Sequence, residues 1–274
     1  MRRAFPVFFV CIAILQAACA LLQDRHELAE TIASRGGLQP GQVDAGQFAL
    51  TVFHRGLDQQ HSVLAVYIEG DGEAWRRKNI LSRDPTPGDP VALKLAVRDP
   101  APAVLYVARP CQYLSAPLLE DCPSRYWSTH RYAGEVVDAV EAAVNWGVNR
   151  TGAGSVVLYG YSGGGTVAAL LAARRSDVVR LVTVAANLDH RAWTELHGVS
   201  PLAGSLNAAD VAGSIRHIPQ LHFVGADDSI VPVTIAEAYR ARASNPAQIT
   251  IRRVPGFDHH CCWETAWPEL LQDE

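Results

Sequence analysis

Short apolar runs alternate with longer amphipathic segments along most of the chain. The apolar runs are rich in Val, Ile, Leu and Tyr, which is typical of buried strands. They cover residues 47–54, 63–68, 103–108, 155–159, 179–185, 220–225 and 248–254. Helices are predicted where apolar residues recur every three or four positions, at 26–34, 91–97, 131–149 and 166–175. This alternation predicts an α/β fold: a mainly parallel central sheet with helices on both faces and small cap loops.

The length and composition fit one globular domain. The chain has 274 residues, of which 49% are hydrophobic, and its net charge is −4. We predict one domain over residues 21–274, in which residues 21–44 are a helical lead-in whose helix ends at Gly36-Gly37 and Pro40. No basic cluster indicates nucleic acid as a partner. No glycine-rich phosphate motif opens a helix, so we expect no nucleotide cofactor.

The first 20 residues have the pattern of a secretory signal peptide. A basic start, Met1-Arg2-Arg3, precedes an apolar stretch and a small-residue segment that ends at Ala20. Ala18-Cys19-Ala20 fits cleavage before Leu21, whereas lipidation of Cys19 would leave the protein tethered. An uncleaved anchor is the third alternative. We therefore expect an exported protein, either soluble in the periplasm or beyond, or bound to the envelope through a lipid on Cys19.

One segment carries the strongest chemical signal. The motif Gly160-Tyr161-Ser162-Gly163-Gly164 lies between an apolar strand and a helical run. A nucleophilic serine on a sharp strand-to-helix turn requires this arrangement. The helix N-terminus behind the serine supplies free N–H groups and a partial positive charge. Ser162 is therefore the candidate nucleophile.

An acid and a base follow the serine in the chain. Asp227 and Asp228 follow the strand at 220–225, and Asp189 follows the strand at 179–185. Any of these carboxylates could orient a histidine, although capping a turn or helix is an ordinary role for such residues. His259 and His260 follow the last strand, where an imidazole can reach the serine and take its proton. We take His259 as the base and His260 as the alternative.

The loop after the strand at 63–68 is the candidate second half of an oxyanion hole. Its sequence is Glu69-Gly70-Asp71-Gly72, and glycines allow a backbone N–H to face the site. We predict the N–H groups of Asp71 and Gly163 as the two donors. A plain turn is the alternative interpretation.

These motifs, in this order, resemble the α/β-hydrolase superfamily over residues 45–272. The sequences YIEGDG at 67–72, RPCQY at 109–113, GYSGGG at 160–165 and DHHCCW at 258–263 are most similar to poorly characterised exported bacterial α/β-hydrolases. The resemblance implies serine-hydrolase chemistry, and its Asp-x-x-Val-Pro spacing favours Asp228 over Asp227 and Asp189 as the acid. Glu69 stands where many esterases have the histidine of a His-Gly motif, so no lipase substrate class is inferred.

Four cysteines lie beyond the predicted signal peptide. Cys111, Cys122, Cys261 and Cys262 allow three disulfide connectivities in an exported chain. A Cys111–Cys122 disulfide would close a loop after the strand at 103–108. A vicinal Cys261–Cys262 pair, a cross-pairing of the two loops, and buried free thiols remain as alternatives.

The leading functional hypothesis is a serine hydrolase of carboxylic esters or related acyl groups. Ser162 attacks, His259 transfers the proton and Asp228 orients the imidazole. We expect a small-molecule acyl substrate and neither a metal nor an organic cofactor. Peptide or amide cleavage, acyl transfer, and a non-catalytic envelope binding protein on the same fold are the alternatives.

Overall fold

The computed structural model describes residues 24–77 and 79–273. The predicted signal peptide at residues 1–20, with Cys19, lies outside the described residues and stays a prediction. In the part of the chain that is described, no helix has both the length and the apolar character needed to cross a bilayer.

A single large sheet forms the centre of the molecule. The strands are β1 (Gln39–Ala45), β2 (Phe48–Arg55), β3 (Val63–Ile68), β4 (Trp75–Arg77), β5 (Ile80–Leu81), β6 (Val104–Val107), β7 (Ser155–Tyr161), β8 (Val178–Val184), β9 (Gln220–Gly225) and β10 (Ile249–Val254). The sheet has the order β1-β2-β6-β3-β7-β8-β9-β10, and β4 and β5 form a separate hairpin. All pairs from β6 to β10 are parallel, and β1 and β2 add an antiparallel edge. The prediction of a mainly parallel sheet is confirmed.

Helices cover both faces of this sheet. They are α1 (Arg25–Arg35), α2 (Val91–Arg98), α3 (Ala116–Glu120), α4 (Gly134–Thr151), α5 (Gly163–Ala172), α6 (His190–His197), α7 (Val233–Ala241) and α8 (Trp263–Leu270). Side chains of α4, α5 and α7 pack into one apolar core, and those of α1, α2 and α8 into another. Such two-sided cover explains why the central strands are apolar on both faces.

The edge strand β1 corrects the predicted lead-in. Pro40 and Gly41 argue against a strand, yet Gln39 to Ala45 pair with β2 across a tight turn in which Gly46 has a φ of 74°. Proline is tolerated there because an edge strand leaves one side of its backbone unpaired. The polar residues of β1 therefore gave no strand signal.

The sheet topology brings four functional loops to one edge. β3, β7, β8 and β9 are neighbours, and β10 follows β9. The carboxyl ends of parallel strands meet at one edge, which is where α/β proteins bind ligands. The loops after β3, β7, β9 and β10 contain Asp71, Ser162, Asp228 and His259, in that order.

Candidate active site

Ser162 occupies a sharp turn between β7 and α5. Its φ is 51° and its ψ is −121°, a conformation that is rare for a residue with a side chain. The Ser162 N–H donates to the Val184 carbonyl at 2.9 Å, which anchors the turn to β8. An added Cβ at Gly163 would overlap the Asp71 carboxylate, and one at Gly164 would overlap the Ile68 carbonyl. The glycines of the motif are therefore required because the loop after β3 packs directly against the turn.

Ser162, His259 and Asp228 form a continuous hydrogen-bonded chain. The Ser162 Oγ lies 3.1 Å from His259 Nε2. On the other side of the ring, His259 Nδ1 lies 2.8 Å from Asp228 Oδ2. Both His259 and Asp228 are buried. The imidazole thus bridges the hydroxyl and a carboxylate that has little access to water.

The backbone around Asp228 and His259 fixes this geometry. Asp228 Oδ1 accepts hydrogen bonds from the N–H groups of Ile230 at 2.8 Å and Val231 at 2.7 Å. The His259 carbonyl accepts from the Tyr161 hydroxyl at 3.1 Å and the Trp263 indole at 3.2 Å. One oxygen of the acid is therefore committed to the backbone, and the other faces the imidazole.

The alternative acids and the alternative base have other contacts. Asp227 is exposed. Asp189 caps α6, where its Oδ1 accepts from the N–H groups of Arg191 and Ala192 and from the Asn207 amide. The His260 ring contacts the Tyr161 hydroxyl at 3.2 Å. Of the predicted acids and bases, the structure brings Asp228 and His259 into line with Ser162.

The loop after β3 lies over the serine. An added Cβ at Gly70 would come within 3.3 Å of Ser162 Cβ. The Gly70 N–H donates to Glu69 Oε1 at 2.9 Å, whereas the N–H groups of Asp71 and Gly163 have no acceptor within residues 24–77 and 79–273. These two N–H groups remain available for a ligand oxygen beside Ser162.

Glu69 is a buried carboxyl behind this loop. Its Oε1 accepts from the N–H groups of Gly70 and Ala92, and its Oε2 from the Tyr106 hydroxyl at 3.1 Å. Burial raises the pKa of Glu69 to about 7, and these hydrogen bonds offset only part of that increase. Glu69 therefore supports the start of α2 and the loop backbone.

The Glu69→Gln variant should change how stability depends on pH. A raised pKa means that the folded wild type keeps a proton that the unfolded chain releases, so stability falls as pH rises from about 4.5 to about 7. The glutamine amide cannot ionise, so the stability of the variant relative to wild type should increase by about 3 kcal/mol between pH 5 and pH 8. Urea unfolding at both pH values measures this difference. Glu237→Gln, on the exposed side of α7, is the control, and an equal increase there would contradict the prediction.

A cavity of about 480 Å³ opens at the serine. Trp75 and Trp193 line it, and so do Arg25 and Glu73, which form an ion pair. Arg131 and Asn187 also line it. The lining is aromatic and polar, with few aliphatic side chains.

Two loop-rich segments near the carboxyl ends of the strands, residues 110–129 and 187–215, differ in what they contribute to the site. Trp193, from the segment at 187–215, lies in α6 and lines the cavity. Tyr126 and Trp127, from the segment at 110–129, are buried in the core beside α4. Residues 110–129 therefore support the fold, whereas α6, in the segment at 187–215, forms one wall of the site.

Two disulfides flank the site. Cys111 is bonded to Cys122, and Cys261 is bonded to Cys262. Between the first two cysteines, Gln112 donates from its amide to the Gly70 carbonyl at 3.0 Å. Across the described residues, no group of three or more His, Cys, Asp or Glu side chains could hold a metal ion.

Several residues behind the site carried no clear signal in the sequence. Arg131 and Tyr132 fall in a predicted helix at 131–149, but α4 begins only at Gly134. Both residues therefore lie in the preceding turn, and both contact the Asp71 carboxylate. Arg109 and Gln112 belong to a motif that sequence analysis noted without assigning a role.

Comparisons at the level of sequence give no relative. No protein-family model matches this chain, and no curated protein has a matching sequence. Solved structures of similar fold are numerous, and two of them, from Coxiella burnetii and Xanthomonas campestris, are described as α/β serine hydrolases or homologues of them.

Three of these structures span most of the chain. Est1E from Butyrivibrio proteoclasticus with bound ferulic acid has a TM-score of 0.59 and 15% identity, and covers 85% of this chain and 98% of its own. An α/β serine hydrolase homologue from Coxiella burnetii has a TM-score of 0.58 and 16% identity, with 85% and 94% covered. An α/β serine hydrolase without a lid from Xanthomonas campestris has a TM-score of 0.55 and 15% identity, with 86% and 94% covered. This chain therefore has the fold of the α/β-hydrolase superfamily, as its motifs predicted.

Proposed function

We propose that this protein is a serine hydrolase that cleaves carboxylic esters through an acyl-enzyme. The observation that carries the proposal is the contact chain from Ser162 Oγ through His259 to Asp228. A serine hydroxyl is a weak nucleophile until a neighbouring base takes its proton. The turn presents the hydroxyl, the imidazole accepts the proton, and the buried carboxylate holds the imidazole in the required tautomer.

The reaction follows from these positions. Ser162 Oγ attacks the ester carbonyl while its proton moves to His259 Nε2. The N–H groups of Asp71 and Gly163 bind the oxyanion, and each such donor contributes about 3–4 kcal/mol to the transition state. The tetrahedral intermediate then expels the alcohol, which takes the proton from His259. A water molecule, deprotonated by His259, releases the carboxylic acid and restores Ser162.

The cavity favours a small ester with polar groups over a long aliphatic one. Trp75 and Trp193 offer flat apolar faces, and Arg25, Glu73 and Arg131 offer charges beside them. An aryl or otherwise polar acyl group fits such a lining better than a fatty acyl chain. Est1E, a protein of the same fold, has been solved with ferulic acid, an aryl acid.

Fluorophosphonate labelling of the folded wild type tests the proposal. We expect covalent modification, mapped by mass spectrometry to Ser162, together with hydrolysis of short p-nitrophenyl esters and of methyl ferulate. Acyl esters of increasing length, a matched anilide and an added alcohol acceptor would separate ester cleavage from amide cleavage and acyl transfer. A folded protein that stays unlabelled under both oxidising and reducing conditions would be a non-catalytic binding protein.

We extend the proposal to an exported enzyme. The pattern of residues 1–20 supports it, as do two disulfides, since disulfides persist mainly in oxidising compartments. Mass spectrometry of the mature N-terminus distinguishes a free Leu21 from a lipidated Cys19. An intact Met1 in the protein recovered from its native host would contradict export by cleavage.

A further inference from the structure

We propose that Arg109, Arg131 and Tyr132 are positioning residues that hold the Asp71 carboxylate and thereby set the Asp71 N–H toward the oxyanion. The inference rests on the proposed function, because an oxyanion forms only if Ser162 attacks an acyl group. It assigns a role to a buried charge cluster that the triad itself does not use.

The Asp71 carboxylate is held by three side chains. Arg109 Nη1 lies 3.3 Å from its Oδ1, and Arg131 Nη1 lies 2.9 Å from its Oδ2. The Tyr132 hydroxyl donates to the same Oδ2 at 2.8 Å. Side chains of Arg109, Arg131 and Asp71 are 4%, 11% and 17% exposed, so these bonds have little competition from water. The carboxylate therefore has one orientation.

The loop backbone is held as well. Gln112 donates to the Gly70 carbonyl at 3.0 Å, and its Oε1 accepts from the Arg109 N–H at 3.0 Å. Arg109 Nη2 also donates to the carbonyl of Arg131, which ties the two arginines together. The Gly70 carbonyl and the Asp71 N–H belong to one planar peptide group, so this network restrains that peptide group through Gln112 and the Asp71 side chain through the two arginines and Tyr132. The direction of the Asp71 N–H follows from these restraints.

The same carboxylate lies against the nucleophile turn. An added Cβ at Gly163 would meet both Asp71 oxygens, so Asp71 fills the space beside the second predicted donor. Clamping Asp71 therefore fixes the spacing between the two N–H groups that would bind the oxyanion. Because donors must be in place before charge develops, this rigidity lowers the barrier and leaves ground-state binding unaffected.

The cluster also carries a surplus positive charge. Burial alone would raise the pKa of Asp71, but Arg131 and Arg109 outweigh it and lower that pKa below its ordinary value. Asp71 is thus ionised, and two arginines oppose one carboxylate. Arg109 Nε has no partner among the residues that the structure describes. A net positive charge in this buried cluster, which lies against the nucleophile turn, favours a developing oxyanion over a neutral carbonyl.

The Tyr132→Phe variant tests the positioning role with a small change. It removes one hydrogen bond to Asp71 from a fully buried ring that does not line the cavity. Tyr239→Phe is the matched control, since it removes a buried hydroxyl that donates at 2.8 Å to Gln220, which begins β9 at the end of the strand away from Asp228. We expect kcat on a p-nitrophenyl ester to fall about tenfold in Tyr132→Phe, with KM within about twofold, and no change in the control.

The affinity for a trifluoromethyl ketone is a second measurement, and it should not change if Tyr132 only stabilises the fold. Ser162 Oγ adds to the carbonyl carbon of the ketone and the hydroxyl proton moves to His259, which leaves an oxyanion in the adduct. The Kd of this adduct should rise by the same factor as kcat falls, while fluorescence-detected thermal unfolding of the two Tyr→Phe variants stays alike. Arg131→Lys, which keeps the charge, should retain more activity than Arg131→Met.

The outcomes separate this inference from the proposed function. A wild type that neither hydrolyses esters nor reacts with a fluorophosphonate overturns the proposed function, before any variant is made. An active wild type whose Tyr132→Phe variant matches Tyr239→Phe in kcat and ketone affinity overturns the positioning role. An Arg131→Met effect confined to the KM of carboxylate-bearing esters would also overturn it, because Arg131 would then bind substrate.

Discussion

The Ser162→Ala variant should lose ester hydrolysis by about 10⁵-fold in kcat and should no longer react with a fluorophosphonate. Alanine keeps the turn, because the strained backbone at φ 51° is held by Val184 and by α5 and not by the hydroxyl. Only the atom that forms the acyl-enzyme is lost. Stopped-flow and end-point assays on a p-nitrophenyl ester measure the loss, and circular dichroism checks the fold.

Ser229→Ala is the matched control for that experiment. Ser229 is exposed in the loop beside Asp228. Within residues 24–77 and 79–273, its side chain forms no hydrogen bond with Ser162, Asp228 or His259. We expect wild-type rates and labelling. Persistent labelling of Ser162→Ala would place the nucleophile on another residue and would contradict the proposed mechanism.

The nucleophile turn was predictable because its determinants are local. A strand, a Gly-x-Ser-x-Gly motif and an apolar helix occur within one short stretch, and the structure has β7, Ser162 and α5 in those places. The parallel sheet was predictable for the same reason, since each short apolar run by itself indicates a buried strand. By contrast, Asp227 and Asp228 are adjacent in sequence, and only the spacing implied by the family resemblance favoured Asp228 as the one whose side chain turns inward. That choice is made by the N–H groups of Ile230 and Val231.

The support of the oxyanion loop was not predictable because its contacts join distant segments. Asp71 meets Arg109, Arg131 and Tyr132 across separations of 38, 60 and 61 residues. No periodicity in the sequence reports such pairs. A buried arginine also looks like an exposed one until its partner is known. Edge strand β1 was not predicted for a related reason: its residues are mostly polar and show no apolar pattern.

The residues of the proposed site come from two separate parts of the chain. Residues from 69 to 132 supply the oxyanion loop and the charges that hold it, whereas residues from 162 to 259 supply the nucleophile, acid and base. The two parts meet where Asp71 packs against Gly163. A preorganised site depends on that contact, because neither part alone fixes the distance between the oxyanion donors and the serine.

The Asp228→Asn variant should lower kcat by about 10⁴-fold with little change in fold. The Oδ1 of Asp228 already accepts two backbone N–H groups, so the amide oxygen of an asparagine must take that place. Its amide nitrogen then faces His259 Nδ1 and donates to it. The ring proton must therefore be on Nε2, the nitrogen that faces the Ser162 hydroxyl. An imidazole in that tautomer cannot take the Ser162 proton. Steady-state kinetics of Asp228→Asn beside Asp227→Asn, whose carboxylate is exposed, measure the effect. Equal losses in the two variants, or a loss below about tenfold in Asp228→Asn, would contradict the role of Asp228.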